Sequence, residues 1–157
     1  KNRTAKGVLS ALQGGNGERG LLKVAEVAGV EKTLVDTTLF TYIPSIGVGS
    51  RAAFLVKEKL GLPAGGPWQR DHSLEKGDSQ KVGQNIMRGE RQVVPLVMGA
   101  DFILYGIMES APWIFPACAA VDAMIATVAR VEFGIKPLTN NHPLYKRFSE
   151  LVDKLIA

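Results

Sequence analysis

The chain is organised around Ala100-Asp101-Phe102-Ile103-Leu104-Tyr105-Gly106-Ile107-Met108-Glu109-Ser110, which leads at once into Ala111-Pro112-Trp113-Ile114. An apolar run of strand length that ends in an acid and a helix-capping Ser predicts a strand buried on both faces and feeding a helix. In parallel β/α proteins ligands gather where strands end, which places Tyr105, Gly106, Met108, Glu109 and Ser110 where a ligand would be expected. The other reading is local: Glu109 favours the helix N-terminus and Ser110 caps it. Gly47-Val48-Gly49-Ser50 is a second candidate, because Gly-x-Gly at a helix start can cradle a phosphate with backbone N–H groups. Ala52 stands at the third glycine position of a dinucleotide fingerprint and no clear acid follows about 20 residues on, so a turn needing small residues is the alternative. His72 is either a catalytic base, although nothing pairs with it in a recognisable spacing, or a solvated loop histidine. Asp122, in an apolar helix, is either hydrogen-bonded structurally or facing a site.

The elements that must position these groups follow from pattern. Thr4 caps a short helix carrying Val8, Leu9 and Leu12, stopped by Gly14-Gly15. Asn16 precedes a second helix with Leu21, Leu22, Ala25 and Ala28 on one face, ended by Gly29. Lys32–Phe40 is β-branched and short, hence a strand. Pro44–Arg51 reads as a glycine-bearing loop, with Ser50 capping a helix to Leu60. Leu62–His72 stands where the next strand belongs, but four Gly or Pro residues leave only a stub. A helical stretch from Ser79 breaks near Gly89 and resumes over Val93–Met98, with Pro95 able to kink it. Pro112–Glu132 is a long apolar helix that Gly134 can terminate. Asn141 caps a last helix whose stripe Leu144, Phe148, Leu151, Val152, Leu155 and Ile156 makes residues 141–157 a terminal docking helix, with His142 structural beside the cap.

Strand–helix pairs at Thr33–Leu60, Leu62–Met98 and Asp101–Glu132 imply right-handed crossovers in a parallel sheet. Three such pairs do not close a barrel of about 250 residues, and open edges need partners. With a polar start, Lys1-Asn2-Arg3, that lacks Met, the expectation is a fragment. At 157 residues the chain has the length of one domain; 46 % hydrophobic and 22 % charged residues permit a core and argue against disorder. The net charge of +4 is scattered, without basic tracts interleaved with aromatics, which argues against nucleic acid. The one cysteine, Cys118, excludes an intrachain disulfide, offers no metal-ligand spacing and reads as a buried inert thiol. Asp101, Glu109 and Asp122 punctuate the longest apolar region, and the chain opens on polar residues, so neither a membrane span nor a signal peptide is expected.

Gly20–Lys32, Leu34-Val35-Asp36-Thr37 and especially Gly99–Gly106 with Glu109–Pro116 resemble the C-terminal half of the H subunit of tetrahydromethanopterin S-methyltransferase. The resemblance covers nearly all 157 residues. It implies the C-terminal part of a (β/α)8 TIM-type barrel, with parallel strands and outer helices, spanning residues 1–157. It implies a methyltransferase that moves a methyl group from N5-methyl-tetrahydropterin, tetrahydromethanopterin or tetrahydrofolate, to a cob(I)alamin carried by a corrinoid protein or subunit. No metal is expected in the chain itself. Asp36, with Thr37 next to it, resembles the acid that grips the pterin N–H edge, and Tyr105 and Glu109 match positions near the mouth. Where the family pattern has an Asn near N5, Gly66–Arg70 has none, and Gln69 is the nearest substitute for the catalytic polar group. That departure leaves an alternative, an inactive barrel serving as a docking subunit. Expected partners are the corrinoid protein, the missing N-terminal half and further copies of the chain in a homo-oligomer. The implied location is cytoplasmic, peripheral to a membrane complex.

Overall fold

The computed structural model describes residues 4–38, 43–67, 81–105 and 108–152. Helix α1 (Ala5–Gln13) starts where Thr4 Oγ1 accepts the Gly7 N–H at 3.0 Å, and Gly14, at φ +83°, ends it. The chain then forms a hairpin the pattern did not announce, β1 (Gly14–Gly15) antiparallel to β2 (Glu18–Arg19), with Asn16 in the turn at φ +52°. Gly20, with no side-chain bond, is the N-cap of α2 (Leu21–Val27).

The principal sheet has three parallel strands in the order β3 (Val35–Asp36), β4 (Ala64–Pro67), β5 (Phe102–Leu104). This is the expected sense and succession, but three details differ. Strand β4 is the central strand rather than a stub. Its two glycines are what the packing requires: a Cβ on Gly65 would collide with the Phe102 backbone, and one on Gly66 with Asp36 and Thr38. Strand β5 is shorter than expected and is not buried on both faces, since Leu104 is 52 % exposed at an edge unpaired among the described residues. Strand β3 covers only two of the residues expected to be extended.

Helix α3 (Ile43–Leu60) corrects the expected loop at Pro44–Arg51, because the helix begins seven residues before Ser50. Pro44 fits a first helical turn, where its missing N–H has no intrahelical acceptor to serve. Ser50 donates its hydroxyl to the Ile46 carbonyl at 2.7 Å and is buried, as are Ala52, Ala53 and Val56, the last two in one core with Val35 and Ala64 of the sheet. The small residues bring helix and sheet together; Thr37 Oγ1 reaches the Gly49 carbonyl at 3.0 Å.

Helix α4 (Lys81–Val97) runs unbroken through Gly89, which faces Ala117 of α5 (Ala111–Phe133). Pro95 lies inside α4 and is fully buried. A short 3-10 turn (Met108–Ser110) precedes α5; Ser110 is buried in helical geometry and makes no side-chain capping bond, contrary to its expected role. Gly134, at φ +67°, closes α5 through N–H bonds to the Ala129 and Arg130 carbonyls. In α6 (Pro143–Val152) the cap is His142, not Asn141: its Nδ1 accepts the Leu144 N–H at 3.1 Å. Its Nε2 lies 3.1 Å from Asp122 Oδ2, so the acid in the apolar helix has a structural partner. Leu144 and Val152 of α6 pack on Ala123 and Ala126 of α5, while a separate core gathers Leu12, Val35, Ala53, Val56, Ala64 and Ala100.

One expectation about α5 is corrected. Met108–Phe133 spans 26 residues at a mean hydropathy of 1.6, long and apolar enough by composition to cross a membrane. Asp122 interrupts the run without offsetting it. Both α4 and α6 pack along this helix, yet Trp113, Met124, Val128 and Val131 remain exposed.

The start of β5 is locked to its neighbours by Asp101. Its N–H donates to the Ala64 carbonyl at 2.8 Å, Oδ2 accepts the Ala64 N–H at 3.0 Å, and Oδ1 pairs with Lys57 Nζ at 2.8 Å. Asp101→Ala should therefore destabilise the fold by about 1–2 kcal/mol, the scale of a partly buried charge-assisted hydrogen bond. Urea unfolding followed by circular dichroism measures it, and an unchanged midpoint would remove the lock.

Candidate ligand site at the ends of the parallel strands

Strand alternation sorts the sheet into two faces. Val35 and its register partner Ala64 lie in the core against α3. Asp36 therefore stands on the opposite face, where it is exposed, and its register partners are Gly65 and, beyond it, Phe102. Because Gly65 has no side chain, the Phe102 ring begins directly over the strand between them. A carboxylate and an aromatic ring thus share one face across a strip of bare backbone, an arrangement suited to the N–H edge and the flat face of a heterocycle.

The carboxylate is held locally. Asp36 Oδ1 accepts the Thr38 N–H at 2.8 Å, and Thr38 donates its hydroxyl to the Pro67 carbonyl at 3.3 Å. Thr37, expected beside the ligand, is 1 % exposed, and its hydroxyl is directed to the Gly49 and Gly65 carbonyls at 3.0 and 3.3 Å. It ties β3 to α3 and β4, and so sets where Asp36 emerges.

Tyr105 follows the last residue of β5, and its ring meets Phe115 of α5 edge-on, with centroids 5.1 Å apart and an interplanar angle of 77°. It lines a groove of about 560 Å³ with Phe102, Phe115, Cys118, Asp122 and Pro143, between β5, α5 and the head of α6. Glu109 is exposed on the 3-10 turn. Gln69 and His72 lie outside the described residues, as does Gly106. Gly47–Ser50 form neither the candidate phosphate cradle nor the turn that was its alternative: these amides lie inside α3, where they serve the preceding turn. No group of three or more His, Cys, Asp or Glu side chains gathers as a metal site among the described residues.

Cys118 lines the groove with its thiol pKa raised, by burial first and by the nearby Asp122 carboxylate second. A raised pKa keeps it the protonated thiol through neutral and mildly alkaline pH, so the nucleophilic thiolate is scarce. Iodoacetamide at pH 8 should alkylate it at least about five times more slowly than in urea-unfolded chain, with mass spectrometry as the readout. Equal rates would show an ordinary, accessible thiol.

The acid at the end of a parallel strand can be set beside known proteins. Residues 1–138 match the family model described as tetrahydromethanopterin S-methyltransferase MtrH subunit. The chain belongs to this MtrH family. The H subunit of tetrahydromethanopterin S-methyltransferase from Methanocaldococcus jannaschii is 32 % identical over 159 residues, covering 91 % of this chain and 49 % of the relative. Those from Methanosarcina acetivorans and Methanopyrus kandleri are 33 % and 30 % identical, covering 90 % and 87 % of this chain and 48 % and 46 % of the relatives. The chain spans about half the length of the MtrH relatives it matches. The chain's three parallel strands with helices are compatible with part of a TIM-type barrel.

Proposed function

We propose that this chain forms the C-terminal part of a (β/α)8 barrel and takes part in moving the methyl group from N5-methyl-tetrahydromethanopterin to a cob(I)alamin borne on a partner protein. The observation that carries the reading is the face shared by Asp36, bare Gly65 and Phe102 at the ends of parallel strands. A pteridine offers what that face lacks: a row of N–H donors at one edge and a flat ring. Asp36 accepts two hydrogen bonds from the edge, and Phe102 lies against the ring. A tertiary amine leaves poorly, so a group near N5 must hydrogen-bond or protonate it as the methyl departs; Gln69 is our candidate. Glu109 belongs to the mouth of the same site, and Tyr105, turned toward Phe115 of α5, borders it from the neighbouring groove.

Strands β3 and β5 are edge strands among the described residues, and such edges call for further β/α units to complete the barrel. The exposed apolar side chains of α5 favour contact with other protein, a second copy or a component of a membrane-associated complex. The absence of Asn from Gly66–Arg70 favours a second reading, a docking subunit that binds the corrinoid protein without chemistry. Titration of the intact protein with methyl-tetrahydromethanopterin tests the choice. Saturable binding that Asp36→Asn weakens supports the methyltransferase; absence of binding, with stable capture of the corrinoid protein, supports the docking subunit.

A further inference from the structure

We propose that Thr38 and Gly66 are positioning residues that pre-orient the Asp36 carboxylate, fixing Oδ1 so that Oδ2 is presented to the donor edge of an amino-oxo-pteridine. The proposal deepens, and rests on, the reading of Asp36 as the ligand-gripping acid. An exposed aspartate ordinarily samples several rotamers, and ordering it on binding lowers affinity. At Asp36 that freedom is already restricted. Oδ1 accepts the Thr38 N–H at 2.8 Å, while Oδ2 accepts no hydrogen bond among the described residues. The same Thr38 donates its hydroxyl to the Pro67 carbonyl at the end of β4, so the turn after β3 is tied to the neighbouring strand.

Gly66 completes the arrangement from the β4 side. A Cβ there would sit 2.6 Å from Asp36 Oδ1 and closer still to Thr38 Oγ1, and the residue has φ +156°, which L side chains rarely adopt. The carboxylate can rest where it does only because this position has no side chain. Any larger residue would turn the carboxylate aside or open the Thr38–Pro67 link.

Dissociation constants for methyl-tetrahydromethanopterin, measured on the intact protein, test the proposal. Thr38→Val keeps the backbone N–H and the side-chain shape but removes the hydroxyl; affinity should fall about 5–10-fold, and Thr38→Ser should stay within about twofold of wild type. Gly66→Ala should weaken binding about tenfold or more when Asp36 is present, and less than about twofold in an Asp36→Ala background, because Gly66 acts through that carboxylate. Wild-type affinity in Thr38→Val, or an undiminished Gly66→Ala penalty without Asp36, overturns the proposal. An Asp36→Ala variant that binds like wild type overturns the underlying reading instead. If Gly66→Ala does not fold by circular dichroism, the Thr38→Val and Thr38→Ser pair decides alone.

Discussion

Asp36→Asn is expected to weaken methyl-tetrahydromethanopterin binding by roughly 30–100-fold while leaving the thermal unfolding midpoint within about 2 °C of wild type, because the substitution changes only what the free oxygen offers. Asn keeps a carbonyl oxygen able to accept the Thr38 N–H, so the turn after β3 survives. The atom that would face the ligand becomes an NH2 donor aimed at donors. The charge-assisted hydrogen bond at that oxygen is lost to a donor–donor contact, and a hydrogen bond to a charged group contributes about 1.5–3 kcal/mol. One tenfold step in affinity corresponds to about 1.4 kcal/mol, which gives the stated range. Since Asp36 is exposed and lies on the face opposite the Val35 and Ala64 core, its replacement removes no packing. Equal affinity in wild type and variant would end the assignment of Asp36.

The parts of this fold that were legible in the sequence are those whose cause is local. Thr4 caps α1 and Gly134 stops α5 because the capping groups and the left-handed glycine act within one turn. The succession of parallel strands was legible because crossover connections leave few choices. The misreadings of the glycine-bearing segments share one origin, small residues selected by a neighbour rather than by their own segment. Gly65-Gly66 looks like a strand breaker until Phe102 and Asp36 are set beside it. Gly47-Val48-Gly49-Ser50 looks like a loop until Ser50, Ala52 and Ala53 are found buried, with Ala53 in one core with Val35 and Ala64 of the sheet. At the site, Asp36 was marked by family resemblance, and it stands exposed at the end of β3. Phe102 was not marked at all. Its signal was nevertheless available: once β4 is accepted as central, alternation along β5 puts Phe102 and Leu104 on the face of Asp36 and turns Tyr105 toward α5.

The same contrast between glycines yields the largest expected effect on stability. Gly65→Ala should destabilise the fold by at least about 3 kcal/mol, the upper range for overpacking a filled position, because the obstacle is backbone and not a flexible side chain. The added Cβ would lie 2.9 Å from both the Phe102 carbonyl carbon and Phe102 Cγ, with the carbonyl oxygen nearer still. Relief would require β4 and β5 to separate, and Asp101 opposes that through its bonds to both backbone groups of Ala64. On the other side, the Thr37 N–H holds the Gly65 carbonyl at 2.9 Å. With total stabilities of about 5–15 kcal/mol typical of whole domains, a loss of this size shifts the urea midpoint far toward zero. Gly47→Ala is the control with the opposite sign. Nothing lies within 4 Å of a Cβ at that helical position, so alanine should stabilise α3 by about 0.5–1 kcal/mol. Were Gly47 instead part of a loop, the gain from helix propensity would vanish, so the pair of midpoints tests both the crowding at β4 and the true start of α3.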